Sequence, residues 1–149
     1  MKIITQNKKA LFHYEILEKA EAGIILSGAE VKAIRTNLVN LKGGYISIQN
    51  GETFLENVHI GKYAFASDAD YDPKKRRKLL LNKREIEKFA LQLNQKGITI
   101  IPLEVIIKNN RIKIIIGLCR GKKGHDKRDV LKKKAEELEI KKSLKRFSR

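Results

Sequence analysis

Cysteine, tryptophan, acidic residues and long apolar runs are all scarce in this sequence. The one cysteine, Cys119, has no thiol partner for an intrachain disulfide and no second thiolate for a cysteine-based zinc site. A reducing, cytoplasmic setting is expected. No stretch approaches the ~18 apolar residues of a membrane-spanning helix. Met1-Lys2-Ile3-Ile4-Thr5-Gln6-Asn7-Lys8-Lys9 lacks the apolar centre of an export signal, so no membrane partner is expected. Asp and Glu number 17 against 33 Lys and Arg, a formal charge of +16 over 149 residues. That excess favours a polyanionic partner, nucleic acid first.

Catalytic signatures are missing as well. His13, His59 and His125 are scattered, and no H-E-x-x-H, P-loop or G-x-S-x-G pattern occurs. Asp68-Ala69-Asp70-Tyr71-Asp72 starts like a calcium loop, but Pro73 stands where glycine would allow the sharp turn and Leu79 where a bidentate Glu would close the cage. His125-Asp126 resembles an acid/base pair only on paper, because adjacent residues of an extended chain point apart. Neither an enzyme nor a bound metal or cofactor is expected.

What is present is a foldable body and an uneven charge. Hydrophobic residues make up 42% of the chain, enough for one core. Residues 120–149 hold 13 of the Lys and Arg but only 5 of the Asp and Glu, which places a boundary near Gly121. The expected organisation is a β-barrel RNA-binding domain over 1–120 and a basic C-terminal tail over 121–149, disordered when free. Lys74-Lys75-Arg76-Arg77-Lys78 is a second concentration of cations; like charges in a row repel and resist burial, so it reads as a solvated, partner-facing segment.

Six segments read as strands. Residues 14–19 and 23–27 flank an Ala20-Glu21-Ala22 turn, and 45–49 and 53–60 flank Asn50-Gly51, a strong hairpin signal because both turn residues accept positive φ. Residues 98–108 and 111–120 are joined by Asn109-Asn110. Ile101, Leu103, Val105 and Ile107 alternate on the first of these and Ile112, Ile114, Ile116 and Leu118 on the second, so these eight are expected to face one interior.

Helices are expected over 29–36, where Ser27 and Glu30 resemble a capping box, and between Asn82 and Gly97, where Ile86, Phe89, Ala90 and Leu93 form one apolar face. Residues 61–77 read as a long irregular loop. Together these predict a mainly β fold with helices: a six-stranded, mostly antiparallel closed barrel of the oligonucleotide-binding type, with outer helices.

In Arg120-Gly121-Lys122-Lys123-Gly124-His125-Asp126-Lys127-Arg128, flexible glycines alternate with cations, which lets backbone and side chains approach phosphates closely. His125, Tyr14, Tyr63 and Tyr71 are candidate stacking rings. With aromatics at only 6%, recognition of a folded RNA by shape and phosphates is favoured over reading of single-stranded sequence. Beyond Asp129 the stripe of Leu131, Ala135 and Leu138, interrupted by Lys132, Lys133 and Lys134, is weak; alone it is expected to be disordered and against RNA to become helical.

Several blocks resemble those of the SsrA-binding protein family, also called small protein B. They are Asn7-Lys8-Lys9-Ala10, Tyr14-Glu15-Ile16, Glu21-Ala22-Gly23-Ile24, Gly28, Glu30-Val31-Lys32, Arg76 to Leu81, Gly121-Lys122-Lys123 and His125-Asp126-Lys127-Arg128. The resemblance runs from about Asn7 to Arg128. It departs at Phe12, where the family usually has His, and at Ala29, which replaces a bulkier residue.

The resemblance implies a non-enzymatic bacterial adaptor that binds the tRNA-like domain of tmRNA and works in trans-translation, the rescue of stalled ribosomes. The barrel would stand in for a missing part of a tRNA. The tail would enter the vacant messenger channel at the small-subunit decoding site, and the elongation factor carrying aminoacyl-tmRNA would be a further partner. Carried over, the tmRNA-binding residues are Asn7, Glu21, Leu80 and Gly121, with Lys122 and Lys123 nearby; Lys8, Lys9, Tyr14 and Lys78 complete the candidate RNA-binding set. His125, Asp126, Lys127 and Arg128 are carried over as the ribosome-directed start of the tail, and Lys132, Lys133 and Lys134 beyond the resemblance join them as tail candidates. A generic ribosome-associated barrel for single-stranded or structured RNA is the alternative, and a metal-dependent nuclease a third.

Overall fold

Asn109 and Asn110 both take up positive φ, 52° and 60°, and this tight reversal folds the longest hairpin among the described residues. The computed structural model describes residues 1–64 and 70–121. In chain order the elements are β1 (Lys2–Gln6), α1 (Lys8–His13), β2 (Tyr14–Ile24), α2 (Gly28–Arg35), β3 (Val39–Asn40), β4 (Tyr45–Gln49), β5 (Glu52–Glu56), β6 (His59–Ile60), β7 (Arg77–Leu80), α3 (Lys83–Leu93), β8 (Ile98–Lys108) and β9 (Arg111–Gly121).

The main sheet is antiparallel, with strand order β1-β8-β9-β2-β7-β5-β4, and β3 pairs separately with β6. The Asn50-Gly51 reversal, with φ of 52° and 75°, joins β4 to β5 as expected. None of the three helices among the described residues is long and apolar enough to cross a membrane.

Several expectations are corrected. Among the described residues the main sheet has seven strands rather than six, because two expected segments merge into β2 while β1 and β7 add strands that the sequence reading does not contain. Among the described residues no ladder closes it: β1 and β4 are its ends, and β4 packs close to β8 without joining it. The Ala20-Glu21-Ala22 turn does not exist. β2 runs through it, paired with β9 from Tyr14↔Gly121 to Gly23↔Lys113, with a bulge at Leu17. Neither glycine, proline nor asparagine occupies those three positions to favour a turn, and Ala22 is fully buried.

The expected strand over 53–60 is split between β5 and β6 by Asn57, at φ 58°. The alternation along β8 is likewise broken. A bulge between Pro102 and Glu104 reverses which side chains face inward, so Ile98, Ile100 and Val105 enter the main core with Ile114, Ile116 and Leu118, while Ile101 and Leu103 face the other way.

Two helices start as their sequences indicate. Ser27 and Glu30 form a complete capping box on α2, and the Asn82 side chain accepts the Glu85 amide at 2.8 Å on α3. Phe89 of α3 is buried in the main core, a burial that contributes roughly 1.5–3 kcal/mol. The second apolar cluster, Ile101, Leu103 and Cys119, is covered not by α3 but by Ala10 of the unforeseen helix α1.

Candidate nucleic-acid interface

Asn7 ends β1 and starts α1. Its side-chain oxygen accepts the Ala10 amide at 3.2 Å, and its side-chain amide donates to Pro102 O at 3.0 Å and Leu41 O at 3.5 Å. Its backbone amide donates to Leu103 O at 2.7 Å. Asn7 is buried and each of its polar groups is engaged within the protein. It therefore ties together β1, α1, β8 and the turn before β4.

The helix it caps presents Lys8, Lys9 and His13 to solvent, and Tyr14 follows, half-buried and paired with Gly121. The structure thus brings Asn7, Lys8, Lys9, Tyr14 and Gly121 to one end of the molecule. An open cleft of about 470 Å³ lies there, bounded by Lys9, His13, Tyr14, Lys42, Tyr45 and Thr99 among others. The neighbouring Lys42 ammonium lowers the pKa of Lys9 below its ordinary value. Neither lysine pairs with a carboxylate among the described residues.

Glu21 and Leu80 lie elsewhere. At about 3.3 Å per residue, Glu21 is roughly 20 Å along β2 from Tyr14. Its carboxylate meets Lys108 Nζ at 3.3 Å and Lys113 Nζ at 3.4 Å. Hydrogen bonding from Lys108, outweighing partial burial and aided by Lys113, holds that carboxyl below its usual range. A negative group placed between two cations can orient them towards phosphates and accept a ribose or base proton itself.

Leu80 is not a core residue. Along β7 the side chains alternate, so Leu79 is buried while Leu80 stays 53% exposed against Gly23. A second cleft of about 500 Å³ opens here between Leu80, Gly23, Leu26, Val31, Arg111 and Lys113. An exposed leucine beside cations gives a base or ribose an apolar face as well as a charge contact.

The basic run is the main departure from the sequence reading. Arg77, expected in a solvated segment, is buried with Glu30: its Nε donates to Glu30 Oε2 at 2.7 Å, and its other nitrogens donate to Val58 O (2.7 Å), Tyr71 Oη (3.0 Å) and Pro73 O (3.0 Å). Each of the three guanidinium nitrogens is matched, and this allows the charge to be buried. Lys75 pairs with Glu30, Arg76 with Glu56 while lying over the Phe54 ring, and Lys78 with Glu52 at 3.3 Å. Much of this run's charge is met by the protein's own carboxylates. Lys78 is exposed but ion-paired, away from the α1 cleft.

Among the described residues no three His, Cys, Asp or Glu side chains converge as a metal site. Lys122, Lys123, His125, Asp126, Lys127, Arg128, Lys132, Lys133 and Lys134, with the whole tail expectation, lie outside the described residues. Sequence reasoning missed Lys42, Lys108, Arg111 and Lys113. The sequence carried no signal for Lys42, whereas the β2–β9 register would have placed Lys113 beside Glu21.

Comparisons with known proteins point to one family. The family described as SmpB protein matches residues 4–146. The SsrA-binding protein of Enterococcus hirae is 46% identical over 148 residues, covering 99% of this chain and 96% of that protein. That of Gloeothece citriformis is 49% identical over 147 residues, covering 98% and 95%. A chain of the solved structure "tmRNA-SmpB: a journey to the center of the bacterial ribosome" superposes with a TM-score of 0.68 at 41% identity, covering 80% of this chain and 85% of that one.

Proposed function

The chain belongs to the SmpB family, and from that premise we propose that it is an RNA-binding adaptor of trans-translation, binding the tRNA-like domain of tmRNA and bringing it to stalled ribosomes. The observation that carries this reading is near-complete alignment, at close to half identity, with proteins named for binding SsrA RNA. The surface chemistry supports it: two clefts bounded by cations, one with exposed tyrosine and one with exposed leucine, suit phosphates and the faces of bases or sugars.

In this proposal Glu21 and Leu80, with Lys108, Arg111 and Lys113, contact the tRNA-like domain, and Lys8, Lys9, Tyr14 and Gly121, continued by Lys122 and Lys123, form a second contact. Asn7 shapes that second contact from within. Lys78 meets RNA only by exchanging Glu52 for a phosphate. The curved sheet acts as an oligonucleotide-binding-like barrel, closed through the packing of β4 near β8. Residues 121–149 form a tail that is disordered when free and helical in the messenger channel, with His125, Asp126, Lys127, Arg128, Lys132, Lys133 and Lys134 facing ribosomal RNA. The elongation factor that delivers aminoacyl-tmRNA is a further partner. The protein is a cytoplasmic adaptor, not an enzyme.

The test compares the full chain with a chain deleted from Asp129 onward. The folded tRNA-like domain should be bound far more tightly than an unstructured RNA of equal length, with affinity falling steeply as salt rises. The deletion should keep that binding and lose peptide tagging on stalled ribosomes. Equal affinity for both RNAs would favour a generic RNA-binding barrel, and loss of binding on deletion would refute the division of labour.

A further inference from the structure

Lys9 and Lys42 stand together at the α1 cleft although repulsion between two ammonium groups opposes it. Each is held there by a rigid neighbour. Lys9 belongs to the helix capped by Asn7, and the side-chain amide of Asn7 reaches Leu41 O, next to Lys42. The turn after Lys42 is pressed onto the body: Gly44 N donates to Leu41 O at 2.9 Å, and a Cβ on Gly44 would sit 2.5 Å from Val58 Cγ2. Both lysine side chains are solvent-accessible, and no described carboxylate is among the residues that bound the cleft.

A contrast with the ion-paired lysines points to what the pair is for. Lys78, Lys88, Lys108 and Lys113 each have a carboxylate within 3.5 Å. Lys9 and Lys42 instead have each other, with His13 and the exposed Tyr45 at the rim. An anion with oxygens on two sides relieves that repulsion, and a phosphodiester flanked by flat bases suits a cleft with cations in its wall and rings at its edge.

We propose that Lys9 and Lys42 form a seat for a single backbone phosphate of RNA, fixed in place by the fold before RNA arrives. The proposal rests on the RNA-binding reading above and adds to it a defined phosphate site beside Tyr14, at the opposite end of β2 from the Glu21 and Leu80 contact. The phosphate belongs either to the tRNA-like RNA or to ribosomal RNA, and the seat's chemistry is the same for both.

The test uses the full chain with Lys9→Gln/Lys42→Gln, the charge-keeping Lys9→Arg/Lys42→Arg, and a charge-matched control, Lys62→Gln/Lys74→Gln, whose two exposed lysines lie outside the cleft. Probes are the folded tRNA-like domain and isolated small ribosomal subunits, each titrated over a range of salt. The glutamine pair should weaken binding of at least one probe about 10-fold beyond the control, and its log–log salt slope should be shallower by about 1. The arginine pair should retain binding. Loss confined to one probe identifies the RNA that supplies the phosphate, and either assignment supports the seat.

If the unaltered chain binds both probes and the glutamine pair behaves like the control on each, the seat is refuted while the functional reading stands. If the unaltered chain binds neither probe, the functional reading itself fails.

Discussion

The Arg77 guanidinium lies 2.7 Å from the Glu30 carboxylate, with both side chains about 2% exposed, so a residue from a run of five cations closes the inside of the fold. Removing one partner leaves the other charge buried. Arg77→Met should cost about 3–5 kcal/mol of unfolding free energy in urea titrations, and Arg77→Lys most of that, because an ammonium cannot span Glu30, Val58 O, Tyr71 and Pro73 O at once. The double change Arg77→Met/Glu30→Met should cost clearly less than the two single changes added together. A cost for Arg77→Met below about 1 kcal/mol would mean that the pair does not hold the fold.

Acid should find the same pair. Burial acts to raise the Glu30 carboxyl pKa, but the Ser27 backbone amide and Arg77 outweigh it, so the folded value lies below the ordinary 4.5. The unfolded chain then takes up the proton first. The stabilisation is fully present above the ordinary carboxylate range and is lost as pH falls through the depressed folded value. Glu30→Gln should lower stability at pH 7 and flatten the decline on acidification, read from urea midpoints between pH 7 and 3. An unchanged slope would contradict the linkage.

Local chemistry was legible in the sequence and tertiary pairing was not. The two asparagine-led hairpins and the caps at Ser27 and Asn82 depend on residues a few positions apart, and each was read correctly. Arg77 meets Glu30 across 47 positions, so composition alone placed it in solvent. Helix α1 is only six residues, too short for apolar periodicity to show. The bulge near Leu103 reverses a strand face with no glycine to mark it. In the candidate site, the β2–β9 register carries Glu21 to Lys113, whereas Lys9 meets Lys42 only because Asn7 reaches Leu41.

Asn7 should act on stability before it acts on RNA. Asn7→Ala removes a helix cap and two side-chain donor bonds, at a cost of roughly 1–3 kcal/mol by chemical denaturation. Asn7→Asp should be no better, since it keeps the cap but turns a carboxylate towards the Pro102 and Leu41 carbonyls. Unfolding midpoints equal to that of the unaltered chain would mean that the Asn7 side chain does not hold this junction.

Cys119 should report global unfolding rather than redox state. Its thiol is buried, donates to Gly117 O at 3.3 Å, and has its pKa pushed up by burial to about 11. Alkylation by iodoacetamide at pH 8 should run at least about 100-fold slower in the native chain than in concentrated urea, tracking the unfolding curve. Comparable rates in the two conditions would mean that the second apolar cluster opens independently of the rest.

Glu21 separates the attraction of RNA from its discrimination. It is negative in a strongly positive protein, and it occupies Lys108 and Lys113, which would otherwise bind any phosphate. Glu21→Gln releases both lysines, so affinity for an unstructured RNA should rise about 3-fold, with a steeper salt dependence. Affinity for the folded tRNA-like domain should fall about 10-fold, because the carboxylate's own hydrogen bond and its hold on the two ammonium groups are lost together. The melting temperature should move by no more than about 3 °C, since solvent-accessible pairs of this kind add little to stability. With its carboxyl held below the ordinary range by Lys108 and Lys113, Glu21 stays ionised at mildly acidic pH, so the unaltered chain should discriminate between the two RNAs equally well at pH 8 and pH 5.5. If both affinities instead moved in the same direction in the variant, Glu21 would be acting on overall charge alone, and selection of the folded RNA would have to reside in Leu80 and the shape of the cleft beside it.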